Sequence, residues 1–352
     1  MKIIETDKIK VLQSPKYNYL FRKTDGFFAR WGATKEEDPV WSPFGPEIAD
    51  IELTTACNAM CPWCYKANTP KGKFMSLETF KRLLDVFPSY IDEKGTKRWH
   101  VNQIAFGVDS ECKTNPEVFD IFKYCRENGI VPNLTVAHIS DDTASKIAQY
   151  AGACAVSRYS NKNHCYDAID LLTNKYNMRQ VNIHQLVTAE NLHNIMETLS
   201  DIKTDPRLKK LNAIVFLMLK KKGRGVGQTV LPSEKYAEII RYCRENGISY
   251  GSDSCGAHKL MSSLDSEERE RLKEVIEDCE STRFSMYIDV NARFFPCSFM
   301  ANENLTAWKD GIDMLGVKDF MSEVWNHPYV SEFRKQVITS NKNSNGCCYF
   351  RI

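Results

Sequence analysis

The chain lacks several features that would place it quickly. No apolar run approaches the length needed to cross a bilayer, and no run of like charge exceeds a few residues. A membrane-spanning protein is therefore not expected, and neither is a nucleic-acid binder driven by a charged tail. Its 47 Lys and Arg nearly cancel its 45 Asp and Glu, leaving a formal charge of +2, so bulk electrostatics offers nothing to nucleic acid or a membrane surface. The opening MKIIETDKIK lacks the apolar core of a signal peptide, which points to a cytoplasmic location. His100, His138, His164, His184 and His193 show no metal-binding spacing, and each reads as a neutral or satisfied histidine.

Cysteine, by contrast, is abundant. Thirteen in 352 residues is high, and in a reducing compartment an odd number of thiols argues for metal ligation and burial over disulfides. With 43% hydrophobic residues, a chain of this length builds its core without staples.

Residues 1–48 read as an N-terminal extension. Asp25-Gly26 lies between two aromatic-rich runs, a hairpin signal, and Pro39, Pro43 and Pro46 follow as an extended connector. The extension is expected to pack over the mouth or edge of the domain that follows. From residue 49 short apolar runs begin near Ile51, Val101, Val131, Ala153, Val181 and Leu211. Helical patterns lie near 76–87, 115–128, 141–150, 163–176, 190–203 and 232–246. Such alternation predicts parallel strands with right-handed crossovers; six units predict an α/β fold, a partial (β/α)6 TIM-like barrel over 49–248. The echo of KYCRENGI at 123–130 in RYCRENGI at 241–248 marks two helix ends capped by Gly129 and Gly247. Cys125 and Cys243 at matching helical positions read as small buried residues. Beyond residue 248 the rhythm changes to an acidic helix at 266–278, a hairpin turning at Asn291-Ala292 and a last helix near 317–338. Residues 249–352 are read as a smaller C-terminal domain.

The chemistry concentrates in CNAMCPWC, which sets Cys57, Cys61 and Cys64 directly after the strand DIELTT. In α/β barrels the loops at the strands' C-terminal ends form the active face. Three thiolates on one loop can hold three irons of a [4Fe–4S] cube and leave the fourth open to a ligand. Structural zinc wants four closed ligands, usually as two separated pairs, which this spacing does not supply.

C-x3-C-x-aromatic-C after a first strand resembles the radical SAM superfamily, and the resemblance spans about residues 48–350. It implies that the open iron chelates S-adenosylmethionine (SAM), that an electron from the cluster yields a 5′-deoxyadenosyl radical, and that this radical abstracts hydrogen from a substrate. It implies a reductant such as flavodoxin or ferredoxin. Trp63 fills the aromatic slot and Tyr65 follows on the adenine side. Where the family carries Gly-Gly-Glu to receive the amino group of SAM, IAFGVDSE keeps only Gly107; backbone carbonyls there and Asp109 are the candidate contacts. CAVSRYS resembles the fourth-strand segment, with Ser157 near the ribose or carboxylate of SAM. Arg158 either meets that carboxylate or makes an outward salt bridge. KKKGRGVG, at 220–227, lacks the Gly-Lys-Ser/Thr ending of a phosphate loop and reads as a solvated turn bordering the substrate mouth.

Cys279 and Cys297, with 17 residues between them, resemble the start of a SPASM or twitch motif. Together with Cys255 and one of Cys347 or Cys348 they would hold one auxiliary [4Fe–4S] cluster. This resemblance implies a peptide-modifying maturase, or else a twitch-type small-molecule dehydrogenase. A non-catalytic iron–sulfur electron carrier is a third reading, which a substrate cavity argues against. Cys112 and Cys165 are candidate hydrogen-atom donors to a substrate radical.

Overall fold

In the computed structural model the described residues are 1–301, 308 and 310–342. The first four strands, β1 (Lys2–Glu5), β2 (Ile9–Gln13), β3 (Asn18–Arg22) and β4 (Phe28–Trp31), form an antiparallel meander. The Asp25-Gly26 turn joins β3 to β4, with Gly26 at φ +74°. The main repeat follows as β5 (Ile48–Glu52), α1 (Leu77–Val86), a small hairpin of β6 (Ser89–Ile91) and β7 (Lys97–Trp99), then β8 (Gln103–Gly107). It continues with α2 (Val118–Glu127), β9 (Val131–Val136), α3 (Asp141–Tyr150), β10 (Ala153–Ser157), α4 (Lys162–Asp170) and β11 (Val181–Val187). Next come α5 (Leu192–Thr204), β12 (Ala213–Met218), α6 (Ser233–Glu245) and β13 (Tyr250–Ser252). Two short helices, α7 (Ala257–Ser262) and α8 (Ser266–Leu272), precede β14 (Ser285–Ile288), β15 (Arg293–Phe295), β16 (Ile312–Asp313) and α9 (Pro328–Lys342).

The large sheet runs β13-β12-β11-β10-β9-β8-β5-β14-β15-β16. From β5 to β13 every pairing is parallel and the strands stand in chain order. Right-handed crossovers that always step in one direction put all their helices on one face. Side chains in register share a face of a parallel sheet. Ile51, Phe106, Leu134 and Cys154 form one such row, buried in the core with the helices. The alternate row, Asp50, Ala105, Asn133 and Ala153, is polar or small. Higher up on that opposite face, Ser157 stands beside His184 and Val215.

All six predicted strand–helix units are present. The strand start expected after Gly247 is β13, which pairs in parallel with β12 through only three residues and adds a seventh strand to the six counted units. Gly129 and Gly247 end α2 and α6 at φ +77° and +64°, and Cys125 and Cys243 are fully buried. The C-terminal strands continue the same sheet, since β14 pairs in parallel with β5 on the side away from β8.

The N-terminal meander lies at the opposite end from the expected mouth. Leu12, Tyr17, Tyr19 and Phe21 cluster with Val131 and Phe284, which begin β9 and precede β14. Arg30 binds Glu47 at 2.8 Å just before β5, and reaches Glu280 at 2.6 Å. Lys10 is buried against the carbonyls of Trp99 and His100. The meander therefore plugs the N-terminal ends of the parallel strands and leaves their C-terminal ends uncovered by it. Phe21→Ala should cost about 3–5 kcal/mol through the cavity it leaves. Denaturant unfolding checks this, and a loss below about 1 kcal/mol would mean that the plug packs loosely.

Candidate functional site

Cys57, Cys61 and Cys64 lie on the long connection between β5 and α1, at the C-terminal end of β5, and all three are half-buried free thiols. Such a loop has little secondary structure of its own, so its shape depends on where its backbone groups find partners. The Cys57 amide donates to Thr69 O at 2.8 Å, and the Cys64 amide to Cys61 O at 3.2 Å, a tight turn that sets two of the thiols one turn apart. The loop stem is tied to β8 by Leu53 N donating to Gly107 O at 2.8 Å.

The segment after β8 supports the Cys57 side. The Asp109 carboxylate accepts from the amides of Glu111, Lys113 and Thr114 at 2.8–2.9 Å and from the Thr114 hydroxyl at 2.9 Å. Thr114 Oγ1 also lies 3.1 Å from Ala56 O and from Thr54 Oγ1. Asp109 thus fixes a hairpin bend whose hydroxyl holds the residue before Cys57. Ser110 Oγ sits 3.9 Å from the Cys57 sulfur. Gly107 lets β8 approach β5, since a Cβ there would stand 3.3 Å from Glu52 Cα.

The Cys61 side meets aromatic residues. Trp63 packs edge-on against Tyr159, with centroids 5.5 Å apart. The Tyr159 phenol lies close to the Cys61 thiol and to Ser157. Burial, with the neighbouring thiols, pushes the Cys61 thiol up; bound iron removes that proton outright. Tyr65 lies against Phe299 of the C-terminal part, 4.4 Å between centroids. Arg158 turns to the helix side, where its guanidinium meets Glu197 at 2.9 Å and Thr198 at 3.1 Å. Arg158 does make a salt bridge, but not an outward one: its side chain is buried, 1% exposed.

KKKGRGVG differs from its sequence reading. It is solvated at Lys221, Gly223, Val226 and Gly227, but Gly225 is buried and the Arg224 guanidinium holds Cys61 O at 2.8 Å and Asn68 O at 3.1 Å, so it is more than a surface turn. Arg224, Tyr159 and Thr114 were not singled out from the sequence. Their partners lie tens to more than a hundred residues away, and no local spacing announces the contact.

Below the cysteines, Glu52 pairs with Lys66 at 3.2 Å, and Lys66 also meets the Tyr287 hydroxyl. A cavity of about 220 Å³ opens here, lined by Glu52, Lys66, Asn68 and Thr69 among others. Deeper on the same face, burial pushes the Asp50 carboxyl up to about 7, with Glu280 adding to the shift and Lys66 opposing it. Burial pushes His184 down to about 4, so it is neutral at pH 7. The face therefore carries groups able to hold or move a proton. Cys112 and Cys165 belong instead to the hydrophobic core, the latter with its sulfur 3.7 Å from Val156 O. Cys255, Cys279 and Cys297 are half-buried. Cys347 and Cys348 lie outside the described residues.

The donor set suits iron–sulfur chemistry: three thiols, a hydroxyl beside two of them, and no disulfide among the described cysteines. Among the described residues no three His, Cys, Asp or Glu converge as on a single ion; an iron–sulfur cube holds its ligands further apart.

Asp50 gives a pH test. Its folded pKa lies above the ordinary 3.8, so it stabilises the fold at low pH, and that contribution is lost as pH rises through about 7. Urea unfolding of wild type and Asp50→Asn should show wild type losing stability relative to the variant between about pH 4 and pH 7. A constant difference would contradict the assignment.

No protein-family model and no curated protein sequence matches the chain. The fold is similar to that of Streptococcus suis SuiB bound to its precursor peptide SuiA, with a TM-score of 0.67 and 13% identity over 95% of this chain and 90% of that one. SuiB bound to S-adenosylmethionine matches over the same shares with a TM-score of 0.63, also at 13% identity. Cys57, Cys61 and Cys64 stand at the C-terminal end of the first parallel strand, and over nearly its whole length the chain shares the fold of SuiB.

Proposed function

We propose that the chain is a radical SAM enzyme that modifies a peptide. Cys57, Cys61 and Cys64 hold a [4Fe–4S] cluster whose open iron takes SAM, and the sheet curls as a partial barrel around its polar face to receive the substrate. The observation that carries this reading is the three-thiol loop, braced by its neighbours where a parallel α/β sheet presents its active end. The fold likeness to SuiB, which is bound in one structure to a precursor peptide and in another to SAM, supports the peptide class and the cofactor. Held by Cys57, Cys61 and Cys64, the cluster would supply the one electron that breaks the sulfonium C–S bond of SAM, with methionine leaving and hydrogen then taken from the substrate.

The chain's own residues orient and shield. Trp63 and Tyr159 cover the Cys61 flank, while Ser157 and the carbonyls around Gly107 face the side on which SAM would lie. Asp50, Glu52 and His184 line the polar face. With Asp109 committed to its own loop, SAM's amino group is left to backbone oxygens. Cys255, Cys279 and Cys297, with Cys347 or Cys348, are proposed to hold one auxiliary cluster.

The reconstituted protein with SAM and dithionite should release 5′-deoxyadenosine, and each of Cys57→Ala, Cys61→Ala and Cys64→Ala should abolish it. No product from fully loaded wild type would refute the reading. Iron analysis separates the cluster count: about eight irons per chain supports two four-iron sites, and about four removes the auxiliary one. Oxidation of a cyclitol or sugar in place of any peptide would favour a twitch-type dehydrogenase.

A further inference from the structure

The loop after β12 makes contacts that its sequence does not announce. Its backbone lies directly on the cysteine loop: the Arg224 amide donates to Cys64 O at 3.0 Å. Gly223 stands at φ +55°, where a Cβ would fall 2.4 Å from Tyr65 O and 2.7 Å from Cys64 O. At Gly225 a Cβ would fall 2.9 Å from Lys220 O and 3.2 Å from Trp63 O. The two glycines are what allow one backbone to lie against the other. Between them, the Arg224 side chain reaches two more carbonyls, Cys61 O at 2.8 Å through Nε and Asn68 O at 3.1 Å through both terminal nitrogens. One residue therefore grips three carbonyls of the cysteine loop, two of them on ligand residues, more than 150 residues away in the chain.

We infer that Arg224 is a positioning residue for the iron–sulfur site: it fixes the Cys61–Cys64 turn and places a permanent positive charge against the Cys61 carbonyl. The inference rests on the reading of Cys57, Cys61 and Cys64 as cluster ligands. Arg suits the task because its fork is planar, always charged and able to satisfy several acceptors at once. A lysine would keep the charge and lose the fork. A cation near the cluster favours its reduced, more negative form, and net charge and hydrogen bonding are among the terms that set such potentials. The electron needed for SAM cleavage would then enter more readily, and the open iron would present the same geometry at each turnover.

The test compares wild type, Arg224→Ala and Arg224→Lys, each reconstituted as full chain. Redox titration followed by electron paramagnetic resonance, with and without SAM, reads the site without relying on turnover. Arg224→Ala should lower the reduction equilibrium of the SAM-binding cluster about tenfold, which for one electron is about 59 mV. It should also weaken the spectral change on adding SAM. Arg224→Lys should recover part of the potential and less of the SAM response. Loss of iron from a variant with wild-type circular dichroism supports the clamp equally. If Arg224→Ala does not fold, Arg224→Lys decides alone: a SAM response weaker than wild type supports the inference, and an unchanged one overturns it. A folded Arg224→Ala with wild-type potential and SAM response also overturns it. A wild type that assembles no cluster at this loop would defeat the functional reading itself.

Discussion

The structure depends on holding an irregular loop still. Three thiols proposed to meet one inorganic cluster sit on a segment with almost no secondary structure of its own, so neighbouring strands have to supply its hydrogen bonds. They do so from two sides. The bend after β8, fixed by Asp109, presents the Thr114 hydroxyl to Ala56 beside Cys57. The loop after β12 lays Arg224 across Cys61, Cys64 and Asn68. Both braces spring from the C-terminal ends of parallel strands, the end where an α/β sheet gathers its functional loops.

The same arrangement explains the rest of the molecule. Because the crossovers step one way, the helices and their apolar partners occupy one face of the sheet, and small or polar side chains are left on the other. The N-terminal meander closes the far end with a buried aromatic cluster and the Arg30–Glu47–Glu280 ion pairs. An opening is left where the cysteines are. Titratable residues on that face shift with it: the Asp50 carboxyl upward and His184 downward, both chiefly through burial.

Much of this was legible in the sequence where the signal is local. Strand–helix alternation, the glycine stops of the two echoing helices and the spacing of Cys57, Cys61 and Cys64 all report on neighbours a few residues apart. What was hidden arises between distant segments. A strand start after Gly247 is legible from the echo of the two helix ends, but β13 is too short to announce that it extends the parallel sheet beside β12. The meander reads as a hairpin, yet nothing in its composition says which end of the sheet it covers. GRG resembles a surface turn because a glycine that frees a loop and a glycine that admits a second backbone look the same in one dimension. Asp109 shows the same limit: a lone acid after a strand could face a ligand, and here its own loop takes both carboxylate oxygens.

The central claim is that Cys57, Cys61 and Cys64 hold a cluster with one iron open to SAM. Electron paramagnetic resonance of the reduced Cys255→Ala/Cys279→Ala/Cys297→Ala variant, recorded with and without SAM, tests it most directly, because only the proposed SAM-binding cluster remains. The account predicts a [4Fe–4S]⁺ signal whose shape changes when SAM is added. A signal that SAM leaves untouched, or no cluster in a folded protein, would contradict it.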